Sequence, residues 1–447
     1  MAFSGAAVAG AHEAPAARAP HAAAASHSSK TRAVTLGSTT GAPITVASDP
    51  VGLSVEYPVL AGDLGTGACP PPALVSAIEA LGAPTIRIGG DSGDQTAPAG
   101  TPPFTGVNDL PTDFWTQLAC LESQTHEPFV VGLNLAAQMP AWAATMAAGA
   151  RGAVPANLLS FEIGNEADID GPSVPWWNAT ADAHTLIPFT TYLDDAQAVD
   201  QQLGAGADVE GPDFATPRWI ANIPQIASAL SLKTVDTHFY PLNACTGAAQ
   251  ATVNNLLLPG ASELSTAVQE TLAQATQLHL PMVISESNSV ACRGKAGVSD
   301  SPGTAVWGLR LVINAIRSGI GSVRFHSSGS TYDPFIVTGT TVTTRPLYDG
   351  LEAAVQLLPI GATVATLKTP LTLMGVVVTR ATGPKTYIVT SYESKPQSVT
   401  LSSTQPASVI RISAANPIVA DTSAKPKGGK LTIVVEPNSV VAFTPGG

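Results

Sequence analysis

The stretch 128–166 reads PFVVGLNLAAQMPAWAATMAAGARGAVPANLLSFEIGNE. It opens on a short apolar, β-branched run (128–135), breaks at Gln138 and Pro140, and continues as an Ala-rich segment (140–149). It then returns to a second apolar run (160–166) that ends in Asn-Glu. The span 128–150 carries no charge and is long enough to cross a bilayer, but Asn134, Gln138 and Pro140 interrupt it. It reads instead as strand, helix, strand. Both strand candidates are continuous rather than alternating, the pattern of parallel strands covered on both faces.

Working outward, the same unit recurs eight times. The strand candidates are 52–60, 84–90, 128–135, 160–166, 207–215, 234–241, 281–289 and 322–328. Helix candidates follow at 71–82, 111–123, 140–149, 187–203, 217–230, 261–278, 302–319 and 345–358, with Pro217 and Pro302 at or near first-turn positions. Eight strand–helix units over about 300 residues is the arithmetic of a (β/α)₈ TIM barrel. A doubly wound open sheet is disfavoured because no Gly-rich phosphate loop follows the first strand. Beyond about residue 360, short strands separated by Pro, Gly and Asn predict an antiparallel β-sandwich (359–447). Segment 31–49 reads as an N-terminal hairpin that joins this sandwich, so the appended domain is built from both chain ends and the barrel spans 50–358. Residues 1–30, rich in Ala, Pro, Ser and His, read as a disordered leader or the remnant of an export signal.

The chain has 447 residues, a hydrophobic fraction of 45% and a charged fraction of 12%, so most of it must fold. Its net charge of −12 repels phosphate backbones and argues against nucleic-acid binding. Cys69, Cys120, Cys245 and Cys292 form no CxxC pair and no zinc-spaced cluster, so no structural metal is predicted. Cys245 follows the sixth strand and Cys292 the seventh. Their loops are neighbours on one face, which predicts a disulfide and an exported protein, secreted or periplasmic. Cys69 and Cys120 make a poorer pair, because Cys120 falls late in its helix. Four inert thiols is the bland alternative.

In such barrels the reactive residues stand at the C-terminal ends of the strands. There the sequence places Glu56 and Tyr57, then Asp91 and Ser92 after Gly89-Gly90, Asn134, Asn165-Glu166, His238 and Tyr240, Glu286 and Asn288, and His326. Glu166 and Glu286 close the fourth and seventh strands, where a lone carboxylate is costly to bury. Two such groups about 5–5.5 Å apart are what retaining glycoside hydrolysis needs.

These residues resemble a known group. Asn-Glu at the end of strand 4 and Glu at the end of strand 7 look like the clan of retaining barrel glycosidases. Ile-Arg-Ile-Gly-Gly (86–90), Glu-Ile-Gly-Asn-Glu (162–166), Ser-Glu-Ser-Asn-Ser (285–289), Gly-Val-Ser-Asp (297–300), the helix at 304–317, Val-Arg-Phe-His (323–326) and Tyr-Asp-Pro (332–334) resemble family 79 glycoside hydrolases, which include β-glucuronidases and heparanases. The resemblance implies a cofactor-free retaining β-glucuronidase acting on glucuronate-containing oligo- or polysaccharides. It implies Glu166 as acid/base, Glu286 as nucleophile, Asn165 on the sugar 2-hydroxyl, Tyr240 on the nucleophile, Asp91 and Ser92 on sugar hydroxyls, and Tyr332 on the glucuronate carboxylate. Glu56 and His326 enter as further lining residues. The pattern departs after the nucleophile. Where the family often has a Tyr-Gly-Gly-type loop, this chain has Val290-Ala291-Cys292-Arg293-Gly294-Lys295, with Gly294 left to offer backbone donors and Arg293 or Lys295 to offer charge. Endo or exo action is left open. It turns on loops such as 168–191, whose Trp176-Trp177 would wall a pocket or line a cleft. A neutral-sugar glycosidase of the same clan, such as a xylosidase or arabinofuranosidase, and a non-catalytic carbohydrate-binding barrel remain the alternatives.

Overall fold

The computed structural model describes residues 33–100, 107–171, 186–204, 206–414 and 419–447. The leader expected at 1–30 and the Trp176-Trp177 pair lie outside the described residues.

Eight parallel strands form a closed barrel: β1 Val51–Glu56, β2 Thr85–Gly89, β3 Phe129–Leu133, β4 Leu158–Ile163, β5 Val209–Gly211, β6 Leu232–Phe239, β7 Met282–Ser287 and β8 Val323–Ser327. They pair in chain order, and β8 returns to β1 through Val323–Val51 and the four residue pairs that follow. The uncharged run at 128–150 divides between β3 and the helix Pro140–Ala153. No helix among the described residues is long and apolar enough to cross a membrane. The first strand is shorter than the sequence suggests. It stops at Glu56, and the helix Tyr57–Leu64 begins at once, with Pro58 in its first turn. There the missing N–H of proline costs nothing, whereas inside a central strand it would remove a ladder hydrogen bond.

Alternation along the strands sorts their side chains. Ile86 and Ile88 of β2, Phe161 and Ile163 of β4, and Val323 and Phe325 of β8 belong to the main apolar core. The residues between them, Arg87, Glu162 and Arg324, are buried among one another. The apolar set faces the helices, and the barrel interior is filled by a charged network in place of the usual branched aliphatic layers.

Segment 31–49 is not a hairpin. Ala33–Thr35 pairs with Gln397–Ser402 in a three-stranded sheet, while Thr39–Thr45 pairs with Thr363–Leu367 at the edge of a seven-stranded one. The two short strands do not pair with each other, because each completes a different sheet of C-terminal strands. An apolar cluster with Leu367, Val377, Val389 and Phe443 from one sheet and Val399, Leu431 and Ile433 from the other joins the two.

Helices Gly303–Ser318 and Pro346–Leu357 pack backbone to backbone at Gly350, where a Cβ would overlap the main chain of Ala305. Main chain in a helix cannot move aside cheaply. Gly350→Val is therefore expected to cost at least about 2 kcal/mol through overpacking, read as a lower urea midpoint with an unchanged slope. An unchanged midpoint would show that the two helices are not this close.

Candidate active site

The site is built on one arginine. Arg87, fully buried in the middle of β2, donates from Nε to Glu162 Oε2 at 2.5 Å, from Nη1 to Glu286 Oε2 at 2.8 Å, and from Nη2 to Asp213 Oδ2 at 2.5 Å. Nη1 also reaches Ser54 Oγ (3.0 Å) and Nη2 reaches Asn165 Oδ1 (3.1 Å). One guanidinium thus ties together groups from β1, β4, β7 and the loop after β5. All five of its N–H donors are called upon, as burial of the charge demands.

Glu286 ends β7 and is almost wholly buried. Arg87 holds its Oε2, and the Tyr240 hydroxyl donates to its Oε1 at 2.7 Å. Burial alone would raise its pKa, but the charges of His326, His238 and Arg87 and the Tyr240 hydrogen bond pull it down to about 2. Glu166 follows β4 and is about one-fifth exposed. Its backbone lies in the left-handed region (φ 50°), an unusual conformation for glutamate, secured by its N–H donating to Asp213 O at 2.9 Å. Burial moves its pKa upward, and the hydrogen bond and charge of His238 offset this only in part. The two carboxyl groups therefore titrate in opposite directions. An oxygen of each lies within 4.8 Å of the other, with His238 in the same cluster.

His238 sits between two acids, Nδ1 2.7 Å from Glu166 Oε1 and Nε2 2.7 Å from Asp213 Oδ1. Burial would favour the neutral ring, but Glu286 and Asp213 raise its pKa well above the ordinary value, so both nitrogens carry hydrogen. Asp213, despite burial, is held far below the usual carboxylate range by Arg87 and His238. The trio Glu166, His238 and Glu286 has the spacing of a metal site, but an imidazolium with both N–H groups donated to carboxylates has no lone pair for a cation. In the deeper trio Glu162, Glu210 and Asp236, Arg324 forks onto Glu210 and Arg87 donates from Nε to Glu162, so guanidinium groups already supply the positive charge.

A cavity of about 670 Å³ opens over these groups. Of the residues singled out in the sequence, Glu56, Asp91, Ser92, Glu166, His238, Tyr240, Glu286, Cys292, Arg293, His326 and Tyr332 line it. Glu56 Oε1 lies 3.2 Å from His326 Nε2, and its Oε2 accepts the Ser92 N–H at 2.7 Å. The Gly89-Gly90 pair has a steric reason. Gly90 takes a positive φ, and a Cβ there would fall 2.7 Å from both Glu56 Oε1 and His326 Cε1. Asp91 is raised to about 7, by burial first and then by Glu56, Glu166 and Glu286. Asn165 stands behind the cavity, accepting from Arg87 while its Nδ2 lies 3.4 Å from Asp91 Oδ1.

Gly294 is not brought to this cavity. Its N–H donates to Val290 O at 3.1 Å, because the loop turns back on itself, so the donor expected there is spent. Lys295 is likewise used internally, its Nζ donating to Ala248 O and Ala251 O. Cys245 and Cys292 are bonded to each other. So are Cys69 and Cys120, which corrects their ranking as the poorer pair. Gln117, one turn before Cys120 on the helix Phe114–Thr125, donates to Gly65 O and Gly67 O and draws the 65–70 loop onto that face.

Arg87 and Asp213 were missed as functional residues. The signal for Arg87 was available, since a charge inside an apolar parallel strand must find several buried acids. Asp213, in Gly-Pro-Asp after β5, offered no pattern.

No protein-family model matches the sequence, and no curated protein matches it. Solved structures do share the fold. A 4-O-α-L-rhamnosyl-β-D-glucuronidase from Fusarium oxysporum 12S, in complex with Rha-GlcA, superposes with a TM-score of 0.70 at 20% identity over 92% of this chain and 100% of that one. A GH51 arabinofuranosidase from Xanthomonas axonopodis pv. citri gives 0.66 at 14% identity over 91% and 97%. A family 51 α-L-arabinofuranosidase from Bifidobacterium longum gives 0.64 at 13% over 92% and 99%. At these identities the likeness is one of fold.

Arg87→Met leaves Glu162, Asp213 and Glu286 facing one another without their shared cation. It is expected to cost about 3–5 kcal/mol of stability at pH 7, measured by urea unfolding. The deficit should narrow toward pH 4, where the stranded carboxylates take up protons while the wild type begins to lose the stability its low-pKa acids confer. A deficit that stays constant with pH would mean that Arg87 acts by packing alone.

Proposed function

We propose that this chain is a retaining glycoside hydrolase that cleaves β-D-glucuronide linkages. The observation that carries the reading is the pair Glu166 and Glu286, whose oxygens approach within 4.8 Å over one cavity while their pKa values are driven apart. That spacing suits direct attack on a single sugar carbon rather than attack through an interposed water, and the divergence assigns the roles. Glu286, ionised, attacks the anomeric carbon as Glu166 passes its proton to the departing glycosidic oxygen. The product is a glycosyl ester on Glu286. Glu166, now a base, takes a proton from water, whose oxygen displaces Glu286 and releases the sugar with its configuration retained. Arg87 and Tyr240 each hold one oxygen of Glu286, fixing its aim. His238 occupies Glu166 Oε1 and leaves Oε2 for the transferred proton. Asn165, Asp91, Ser92 and Tyr332 are read as sugar-binding residues, with Glu56 and His326 beside them.

The glucuronide substrate is supported by the sequence resemblance and by the rhamnosyl-glucuronidase among the structures that share the fold. We read 50–358 as the catalytic barrel and the two C-terminal sheets as an appended β-sandwich, antiparallel but for Ala33–Thr35, which runs parallel to Gln397–Ser402. Two disulfides fit an oxidising compartment and hence a secreted or periplasmic protein. A second reading, a neutral-sugar arabinofuranosidase or xylosidase, draws on the departure at Val290-Ala291-Cys292 and on the arabinofuranosidases of the same fold.

Parallel assays on nitrophenyl glucuronide, xyloside and arabinofuranoside separate the two. The proposal expects turnover of the glucuronide above the others, and a preference for either neutral sugar overturns it. Glu286→Ala should abolish turnover in a folded protein, and near-wild-type hydrolysis would refute its role. The pH profile of kcat/KM should stay high into acid, since Glu286 remains ionised until the pH nears about 2. It should fall on the alkaline side as Glu166 loses its proton, at a pH above the ordinary range for glutamate. In Glu166→Gln that alkaline limb should vanish, and a limb that persists would assign it elsewhere.

A further inference from the structure

An acid sugar entering this cavity meets an unfavourable field. The chain is net negative, and the described lining contains the ionised Glu286 beside Glu56, Asp91 and the proton-bearing Glu166, with which a second carboxylate must compete. Both cavity histidines are already committed, His238 to Glu166 and Asp213, and His326 to Glu56 and to Ser54 Oγ with Glu286 3.5 Å away. Binding a carboxylate there requires a cation that is still free. Arg293 is the one Lys or Arg among the described lining residues, and no carboxylate among the described residues pairs with it. Its Nη2 donates to Ser328 O at 3.0 Å, which leaves most of its donors unspent. Ser328 Oγ in turn lies 3.0 Å from the Tyr332 hydroxyl, so arginine, serine and tyrosine occupy one corner of the cavity.

The loop that carries Arg293 is held to this corner. Leu242–Asn243 pairs with Val290–Ala291 as a short parallel ladder, and the Cys245–Cys292 disulfide closes it immediately beyond. Cys292 and Arg293 both adopt left-handed backbone (φ 65° and 66°), a conformation that non-glycine residues rarely take in succession. Thr331 donates to Arg293 O at 3.0 Å and fixes the peptide from the other side.

Resting on the glycosidase reading above, we propose that Arg293, fixed in place by the Cys245–Cys292 disulfide, is the receptor for the C5 carboxylate of the sugar and sets the preference for acidic over neutral sugars. A charge-assisted pair between guanidinium and carboxylate supplies the counter-charge that the committed histidines cannot.

The test compares nitrophenyl β-D-glucuronide with nitrophenyl β-D-glucoside, which differ only in the oxidation of C6, across wild type, Arg293→Gln, Arg293→Lys and the double variant Cys245→Ser/Cys292→Ser. Arg293→Gln is expected to lower kcat/KM for the glucuronide roughly 10- to 100-fold, the range of a charged hydrogen bond. The loss should fall in KM, with kcat held, and the glucoside should be unaffected. Arg293→Lys should recover part of the loss, because it keeps the charge and forfeits the fork. The double cysteine variant should raise KM for the glucuronide alone. An equal loss on both sugars, or a loss confined to kcat, would make Arg293 a merely structural residue and overturn the proposal. A wild type that prefers the glucuronide, paired with an Arg293→Gln that matches it within twofold, would overturn this inference while leaving the glycosidase reading intact. A wild type inactive on the glucuronide but active on a neutral sugar would overturn this inference and the glucuronide substrate together, leaving a neutral-sugar glycosidase.

Discussion

Everything in the barrel's upper half is organised around the burial of a single guanidinium. Arg87 is shielded from water, and a cation so placed must be neutralised and fully hydrogen-bonded. Glu162, Asp213 and Glu286 answer that demand, and each comes from a different part of the ring. The arrangement constrains both sides. The arginine needs the acids, and the acids, packed at the ends of apolar strands, need the arginine. Removing either partner leaves a buried charge, and this is why the network specifies one geometry.

From that constraint follows the asymmetry of the two glutamates. Glu286 touches Arg87 directly and takes a second hydrogen bond from Tyr240, so its charged form is favoured. The Glu166 carboxylate, among the described residues, has His238 as its hydrogen-bond partner, and the other nitrogen of that ring is committed to Asp213. Burial therefore dominates at Glu166 and cation contact dominates at Glu286. Two identical side chains over one cavity acquire opposite tendencies from their neighbours alone. The left-handed backbone at Glu166, fixed by its N–H on Asp213 O, ties the second glutamate to the same aspartate that Arg87 holds.

The barrel was legible because its signal is repeated. Eight continuous apolar runs separated by helix-like segments survive errors of several residues at any one boundary, such as the overextension of β1 past Glu56. The two glutamates were legible because each closes such a run with a charge. What could not be read was whatever depends on distant partners. The separate pairing of Ala33–Thr35 and Thr39–Thr45 is decided by strands more than 300 residues away. The Cys69–Cys120 bond joins the helix Phe114–Thr125 to a loop 51 residues away in sequence, which Gln117 also holds. The use of the Gly294 N–H within its own loop depends on three successive left-handed residues, of which only the glycine announces itself.

The central claim is that Glu286 forms a covalent bond to the sugar. A 2-deoxy-2-fluoro-β-D-glucuronyl fluoride should glycosylate the enzyme rapidly, with loss of fluoride, and be hydrolysed from it slowly, because the C2 fluorine destabilises the oxocarbenium-like transition states of both steps while fluoride leaves readily. Mass spectrometry of the intact protein should show one added glycosyl unit, and peptide sequencing should place it on Glu286. A label on another residue, or turnover of ordinary substrate with inverted configuration and no adduct, would contradict the account.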